Sequence, residues 1–448
     1  MASTSEAPRP FYLSDNFAPV EEERSAFELP VRGSVPESLR GVYLRNGPNP
    51  VAGVDPGHWF LGDGMVHGVR LEEGGAAWYR NRWVRTRPFE EPGLQFVSAD
   101  GSVDRTVALA NTNVVGHAGR ILALVETSFP TELSGKLETI GLHSFDDKLA
   151  TAMTAHPKIC PTTGEMHFFG YGFSPPYLTY HCADANGVLV RSEEITVGGP
   201  TMIHDFAITS DHVVFMDLPI VLDFEGLESR GMPYAWSDDY PARFGIMPRS
   251  GGDADIRWVE IEPCYIFHPM NAFELAGKLV LDAARYPELW RNSANEFDAA
   301  YLYRFSIDLD SEKVTEEALD DRPSEFPRID DRLCGLPNRY GYAVVSETDV
   351  GAASTSLIKY DLVAGTSEIR DFGLGSSPGE AVFVPAHPDA EEDEGYLLAL
   401  VYDAAREVSD LVILDARSFD AEPLAVVSLP RRVPFGFHGN WVADPADS

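Results

Sequence analysis

Residues Gly395–Ala404, GYLLALVYDA, and Ser409–Ser418, SDLVILDARS, decide the fold class. Each is a run of aliphatic, aromatic and β-branched residues, and polar or glycine positions separate the two. That is the pattern of two short buried strands with a turn between them. The same pattern recurs outward along the chain in GRILALVETS (119–128), DHVVFMDLPI (211–220), GKLVLDAARY (277–286), YLYRFSIDL (301–309), GYAVVSETDV (341–350) and GEAVFVPA (379–386). Long amphipathic helical patterns are scarce. Two stretches, GLESRGMPYAW (226–236) and YPELWRNSANEFD (286–298), are expected to be short helices or lids. Counts of 38 Gly and 33 Pro suit a chain of many turns. Many short strands over more than 400 residues fit a β-propeller or several sandwiches. Strand signals continue from near residue 40 to near residue 440 without a linker, so one closed domain is expected. No strict repeat of WD40 or kelch type is present, and the blade count is not legible. The acidic run Ala390–Gly395 reads as a solvated loop.

Composition narrows the function. The 448 residues are 44% hydrophobic and 11% aromatic, enough for a large core. With 35 Lys and Arg against 70 Asp and Glu, the formal charge is −35. Nucleic-acid binding, which needs a basic face, and charge-driven docking to anionic lipid are both disfavoured. The first thirty residues lack the basic and apolar regions of a secretory signal, and no run of 18 apolar residues occurs. A cytoplasmic protein is therefore expected. Cys160, Cys182, Cys264 and Cys334 form no C-x-x-C pair and read as reduced structural thiols. No G-x-G-x-x-G fingerprint opens a helix, so neither nicotinamide nor flavin is expected.

Four of the twelve histidines stand in unusual surroundings: His156 in TAHPKI, His204 in TMIHDFAIT, His268 in YIFHPMNAFE and His438 in VPFGFHGNW. Each is flanked by apolar residues beside strand-end punctuation. A lone histidine in such a place is more often a satisfied core residue than a ligand. The intervals of 48, 64 and 170 residues are far too long for a local chelate. Only a closed fold that brings distant strands to one axis could gather them. Imidazole suits iron, zinc, copper or nickel, so the metal stays open on residue type alone. His58, His67, His117, His143, His167, His181, His212 and His387 read as structural or exposed. A ligating imidazole usually donates its other N–H to a carboxylate or carbonyl. Glu126 in LALVETSFP, Glu325 in RPSEFPRID and Glu380 in SPGEAVFVP are carboxylates set in apolar strands and are candidates for that role. Their bland alternative is a strand-edge glutamate.

These motifs, together with LRGVYLRNGPNP (39–50), HWFLGDGMVHGVRL (58–71), ANTNVVGHAGRILALVE (110–126) and AHPKICPTTGEMHFFGY (155–171), resemble the carotenoid cleavage oxygenases in content and order over about residues 30–445. The family comprises non-haem iron enzymes that cleave carotenoids, apocarotenoids and stilbenes, and a retinoid isomerase branch. The resemblance implies an all-β chain: an N-terminal extension, residues 1–29, then a single seven-bladed β-propeller over 30–448 with a small helical or loop cap. It implies one Fe(II) per chain on His156, His204, His268 and His438, with Glu126, Glu325 and Glu380 holding His204, His268 and His438 and no carboxylate for His156. Thr112 matches a position near the iron's open side. Dioxygen is the implied co-substrate, and the implied reaction is scission of a C=C bond into two carbonyl fragments.

An apolar polyene or stilbene is the implied substrate. Phe60, Phe129, Phe169, Phe173, Tyr177, Tyr234, Trp236 and Phe437 are candidate tunnel-lining residues, each also readable as core. The stilbene branch carries a lysine just before its first glutamate, where this chain has Val125. That departure favours carotenoids or apocarotenoids, while DRPSEFPRIDDR keeps the stilbene-type alternative open. A carotenoid must be drawn from a membrane. Ile220, Val221, Leu222, Phe224, Leu227, Met232 and Trp236 are candidates for a peripheral hydrophobic contact, their bland reading being a packed cap. A non-catalytic metal-binding propeller is the non-enzyme alternative. A G-x-S-x-G match at 375–379 lacks the strand-turn-helix context of a nucleophile elbow.

Overall fold

The computed structural model describes residues 9–98, 102–226, 232–294, 297–346 and 354–444. The chain is nearly all antiparallel β, and each strand expected from the runs above is present, among them Gly395–Asp403 paired with Val408–Asp415. Among the described residues the only α-helix is the single turn Arg87–Glu90.

The strands follow one another as meanders. Gly41–Pro48, Gly64–Glu72 and Gly75–Trp83 form the first sheet, and three four-stranded sheets follow, spanning 113–142, 158–195 and 206–260. A seven-stranded sheet runs from Tyr265 to Asp371 and is articulated on one long strand, Val314–Arg328. The first half of that strand pairs with Tyr303–Ile307 and the second with Tyr342–Val345. The last sheet takes in Val382–Pro385, Gly395–Asp403, Val408–Asp415 and Ala425–Ser428.

The two ends of the chain interlock. Val31–Gly33 pairs with Ala425–Ser428 of the last sheet, and Gly439–Ala443 returns to pair with Gly41–Arg45 of the first. Arg24–Phe27 adds an outer strand to the first sheet against Trp78–Asn81. Apolar side chains fill the spaces between neighbouring sheets. The largest cluster joins Phe169, Tyr180, Phe215, Phe244 and Phe305, and burying each such aromatic is worth about 1.5–3 kcal/mol.

Neither expected short helix is present among the described residues. Tyr234–Trp236 is a strand, paired with Ile220–Leu222 in a two-stranded ribbon; Tyr286 ends the strand Lys278–Tyr286, and the described part of 287–298 is bend, turn and coil. Pro233 and the β-prone Tyr-Ala-Trp explain the first outcome. The covering layer near residues 11–17 and 59–61 is accordingly built of 3-10 turns, Phe11–Leu13, Asp15–Phe17 and Trp59–Leu61, and the ribbon, in place of helices. Ser376–Pro378 is a strand paired with Val401–Asp403, so the serine motif is no elbow. No helix among the described residues is long and apolar enough to cross a membrane.

Candidate metal centre

Each of the four singled-out histidines belongs to, or stands one or two residues before, a strand at one end of its sheet's strand order. His156 precedes Lys158–Ile159, His204 precedes Phe206–Ile208, His268 lies in Tyr265–Leu275, and His438 precedes Gly439–Ala443. In Tyr265–Leu275 the pairing register slips between Ile266 and Pro269, at His268. The motifs' Pro, Gly and Asp steps are what end or distort the ladders there.

The four side chains are buried and meet. One ring nitrogen from each lies within 4.8 Å of the others, and the Nε2 atoms of His204 and His268 are 3.2 Å apart. In three of the four, the opposite nitrogen faces a glutamate. His268 Nδ1 donates to Glu325 over 2.7 Å and His438 Nδ1 to Glu380 over 3.0 Å. His204 Nδ1 is in close contact with Glu126. His156 differs: its Nδ1 lies 3.6 Å from Asp205 Oδ2, a carboxylate held by Lys158 at 2.8 Å.

The carboxylates are themselves anchored. Tyr171 donates to Glu126 over 2.6 Å, and Tyr286 to Glu325 over 3.0 Å. The Gly439 amide donates to Glu380 over 2.8 Å, and Arg328 lies 3.3 Å from it. Burial opposes ionisation of Glu380, but Arg328 and His438 overcome it and hold the group well below the usual carboxylate range. Glu325 is likewise held low against burial by His268, the Phe326 amide and Tyr286. Burial, reinforced by the neighbouring imidazoles, pushes His156 well below its ordinary value; burial also takes His438 down to about 4, with Glu380 working against it. His268 moves up, its burial outweighed by Glu325.

The residues fit a metal ion. His156 Nε2 is buried without a hydrogen-bond partner, a state that costs free energy unless something occupies it. The spread of the four donors approaches what one ion at about 2.0–2.1 Å from each imidazole requires. Neutral imidazole is the ligating form, and buried carboxylates at Nδ1 fix the tautomer that leaves Nε2 free.

An apolar cavity of about 350 Å³ opens onto His204, His268 and His438. Phe60, Phe437, Tyr234, Thr112 and Val125 line it, as do Phe267, Phe297 and Phe326. Thr112 donates to Asn111 over 3.0 Å, and its carbonyl accepts from the His438 amide. Phe129, Phe173, Tyr177 and Trp236 were expected along a tunnel and do not line this cavity. Phe129 packs on the Phe145–Phe168 cluster, Phe173 contacts Phe96 and Phe224, Tyr177 lies just before the hairpin strand Leu178–Ala183, and Trp236 lies under Arg291. Phe169 is fully buried between sheets. The lining that sequence reasoning missed includes Trp59, Tyr171, Phe267 and Phe326. For Trp59 the signal was its place beside Phe60 in the same motif. Phe326 takes a positive φ of 54°, which turns the chain at Glu325 and stacks its ring on His268.

The remaining histidines lie elsewhere. His67 bonds Tyr79, His181 bonds Thr151 and Ser192, and His212 bonds Glu274. His167 groups with Glu165 and Cys182 instead, apart from the four. Of the proposed membrane-contact residues, Ile220 and Met232 are buried, Phe224 is 56% exposed and Leu227 lies outside the described residues.

Residues 17–443 match the family model described as retinal pigment epithelial membrane protein. The chain is 41% identical to a carotenoid cleavage oxygenase of Mycobacterium tuberculosis, over 98% of this chain and 99% of that protein. It is 32% identical to isoeugenol monooxygenase of Pseudomonas nitroreducens, over 97% of this chain and 98% of that protein. A crystal structure of lignostilbene dioxygenase from Pseudomonas brassicacearum matches with a TM-score of 0.88 at 30% identity, covering 98% of this chain and 100% of that one. The protein belongs to the carotenoid cleavage oxygenase family and is an oxygenase.

Proposed function

We propose that the chain is a non-haem Fe(II) dioxygenase that cleaves one C=C bond of a carotenoid or apocarotenoid into two carbonyl products. The observation that carries this reading is the convergence of four buried imidazoles at the wall of an apolar cavity. One Fe(II) would be held by Nε2 of His156, His204, His268 and His438. When bound, it supplies activation of dioxygen for alkene scission. The fold that delivers these ligands is a seven-bladed propeller over residues 30–448, with residues 1–29 as an extension. This is supported by the division of the Tyr265–Asp371 sheet at Val314–Arg328 and by the interlocked chain ends.

The protein's own groups do the rest. Glu126, Glu325 and Glu380 aim three imidazoles by accepting from Nδ1. Phe60, Phe326 and Phe437 bind the polyene and exclude water, and Thr112 narrows the space beside the histidines. A cavity of about 350 Å³ lies at the low end for drug-sized ligands, so it holds a long polyene by part of its length. Phe224 is the exposed apolar residue through which the ribbon would touch a membrane surface, and liposome flotation with Phe224→Ser tests that contact.

The second reading, cleavage of a stilbene-type or other phenylpropanoid alkene, draws on the lignostilbene dioxygenase and isoeugenol monooxygenase relatives. Val125 lines the cavity and offers a phenolic oxygen no cation, which favours the polyene. The test is aerobic incubation of Fe(II)-loaded protein with carotenoids, apocarotenals and hydroxystilbenes, reading products by mass. Aldehydes from the polyenes are expected. His156→Ala, His204→Ala, His268→Ala and His438→Ala are each expected to lose bound iron and product together. Full iron occupancy with turnover in any of them overturns the ligand set.

A further inference from the structure

A second cavity, of about 500 Å³, reaches the same histidines from elsewhere. It shares His268 and His438 with the apolar cavity and has His156 in its own wall. Its character differs, with charged and amide side chains set among apolar ones such as Val115, Ile208, Met270 and Trp441. Asn113, Asn440, Asp205, Asp331, Lys158 and Arg328 line it. Its exposed lining includes Pro161 and Asp331, while His156, His268 and His438 are buried.

The charges in this wall balance locally. Lys158 is paired with Asp205 at 2.8 Å. Arg328 lies 3.3 Å from both Glu380 and Asp331, and Arg332, also lining the cavity, is paired with Asp330 at 2.6 Å. The path is polar without being cationic, and the whole chain carries −35, which concentrates cations around it.

A divalent ion arrives with a shell of water. The first cavity is mainly apolar, with Phe60, Phe267, Phe297 and Phe437 in its wall, so a hydrated ion gives up more of its water there than beside the charged and amide side chains of the second cavity. The second cavity has Asp205, Asp331, Glu380, Asn113 and Asn440 in its wall and reaches His156, whose buried Nε2 has no hydrogen-bond partner. Asp205 lies in the same wall, 3.6 Å from the His156 ring.

We propose that this second cavity is the route by which a hydrated divalent cation is loaded onto the four histidines, with the exposed Asp331 at its mouth and His156, His268 and His438 in its wall. The apolar cavity is then left to substrate. The proposal rests on the four-histidine reading above and assigns that site its own way in.

The test uses full-length Asp331→Cys protein stripped of metal, uncapped or carrying a bulky methanethiosulfonate on the new thiol; the four native thiols are buried or half-buried. Anaerobic Co(II) is added and uptake is followed by cobalt absorption and bound-metal analysis. Capping is expected to slow uptake at least tenfold, reduction of the cap to restore it, and the final content to reach one cobalt per chain in both. Asp331→Lys is expected to slow uptake several-fold at low salt, with the effect shrinking as salt rises. Equal rates with and without the cap, together with an unchanged rate in Asp331→Lys, overturn the route while leaving the ligand set standing. Failure of the unmodified apoprotein to bind any cobalt overturns both.

Discussion

His156 stands 3.6 Å from Asp205, whereas His268 is bonded to Glu325 at 2.7 Å. One ligand of the set is therefore steered by a carboxylate that already serves another partner, Lys158. Beyond hydrogen-bond range, Asp205 acts on His156 through charge and packing. Asp205→Asn should lower global stability by about 1–2 kcal/mol, because it leaves the half-buried Lys158 ammonium facing an uncharged partner. Iron affinity should fall less than tenfold. Chemical denaturation and competitive chelation measure the two effects, and an affinity loss as large as that of the glutamate variants would refute the distinction.

The three glutamates should not be equal. Glu325→Gln and Glu126→Gln are expected to weaken metal retention about 10–100-fold, the usual effect of losing a ligand's carboxylate partner. Glu380→Gln should exceed both in its effect on folding, since Glu380 also faces Arg328 and the Gly439 amide. Dissociation constants from chelator competition, set beside melting temperatures, separate the two contributions.

Gly436 lies against the first sheet so closely that an added Cβ would sit 2.8 Å from both Asn46 O and Gly47 Cα. Those are backbone atoms and yield little. Gly436→Ala should push the Phe437–His438 segment outward, costing about 1–3 kcal/mol of stability and weakening metal binding. Unchanged metal affinity in a folded Gly436→Ala protein would show that the segment adjusts freely.

Acid stability of the metal-free protein should follow buried histidines. Burial takes His67 and His167 down to about 3 and His181 down to about 4. Each is neutral when folded and takes up a proton on unfolding below its ordinary value near 6.5. Their stabilising contribution is full above that pH and is lost as pH falls toward 3–4. Three such groups give a slope approaching about 4 kcal/mol per pH unit in that window. Denaturant midpoints measured with chelator between pH 8 and 5 should be flat at first and then fall; a profile flat to pH 5 contradicts this.

The proposed ligand set was legible because His156, His204, His268 and His438 share one uncommon setting, an imidazole between apolar neighbours at a strand end. The glutamates were legible in a similar way, each being a charge inside an apolar run. Asp205 was hidden: it follows His204 directly and faces away toward His156, a contact only the closed fold creates. The cavity wall was hidden too, because Phe60 and Phe169 look alike in sequence, and which one meets open space depends on how neighbouring sheets pack. Of the short helices or lids expected at 226–236 and 286–298, the described parts are not helical, residues 227–231 and 295–296 lying outside them, and the reason is simpler. Short amphipathic runs rich in Pro and aromatics carry weak helical preference, and pairing with Ile220–Leu222 decided the first of them.

The returning strand Gly439–Ala443 has a consequence for how the protein is made. His438 heads that strand, which is welded to residues 41–45, some four hundred positions earlier in the chain. While the ribosome is still at work, the nascent polypeptide holds three imidazoles that have no fourth companion and an opening sheet that lacks its closing edge. The four-histidine cluster is thus complete only once this late segment has emerged.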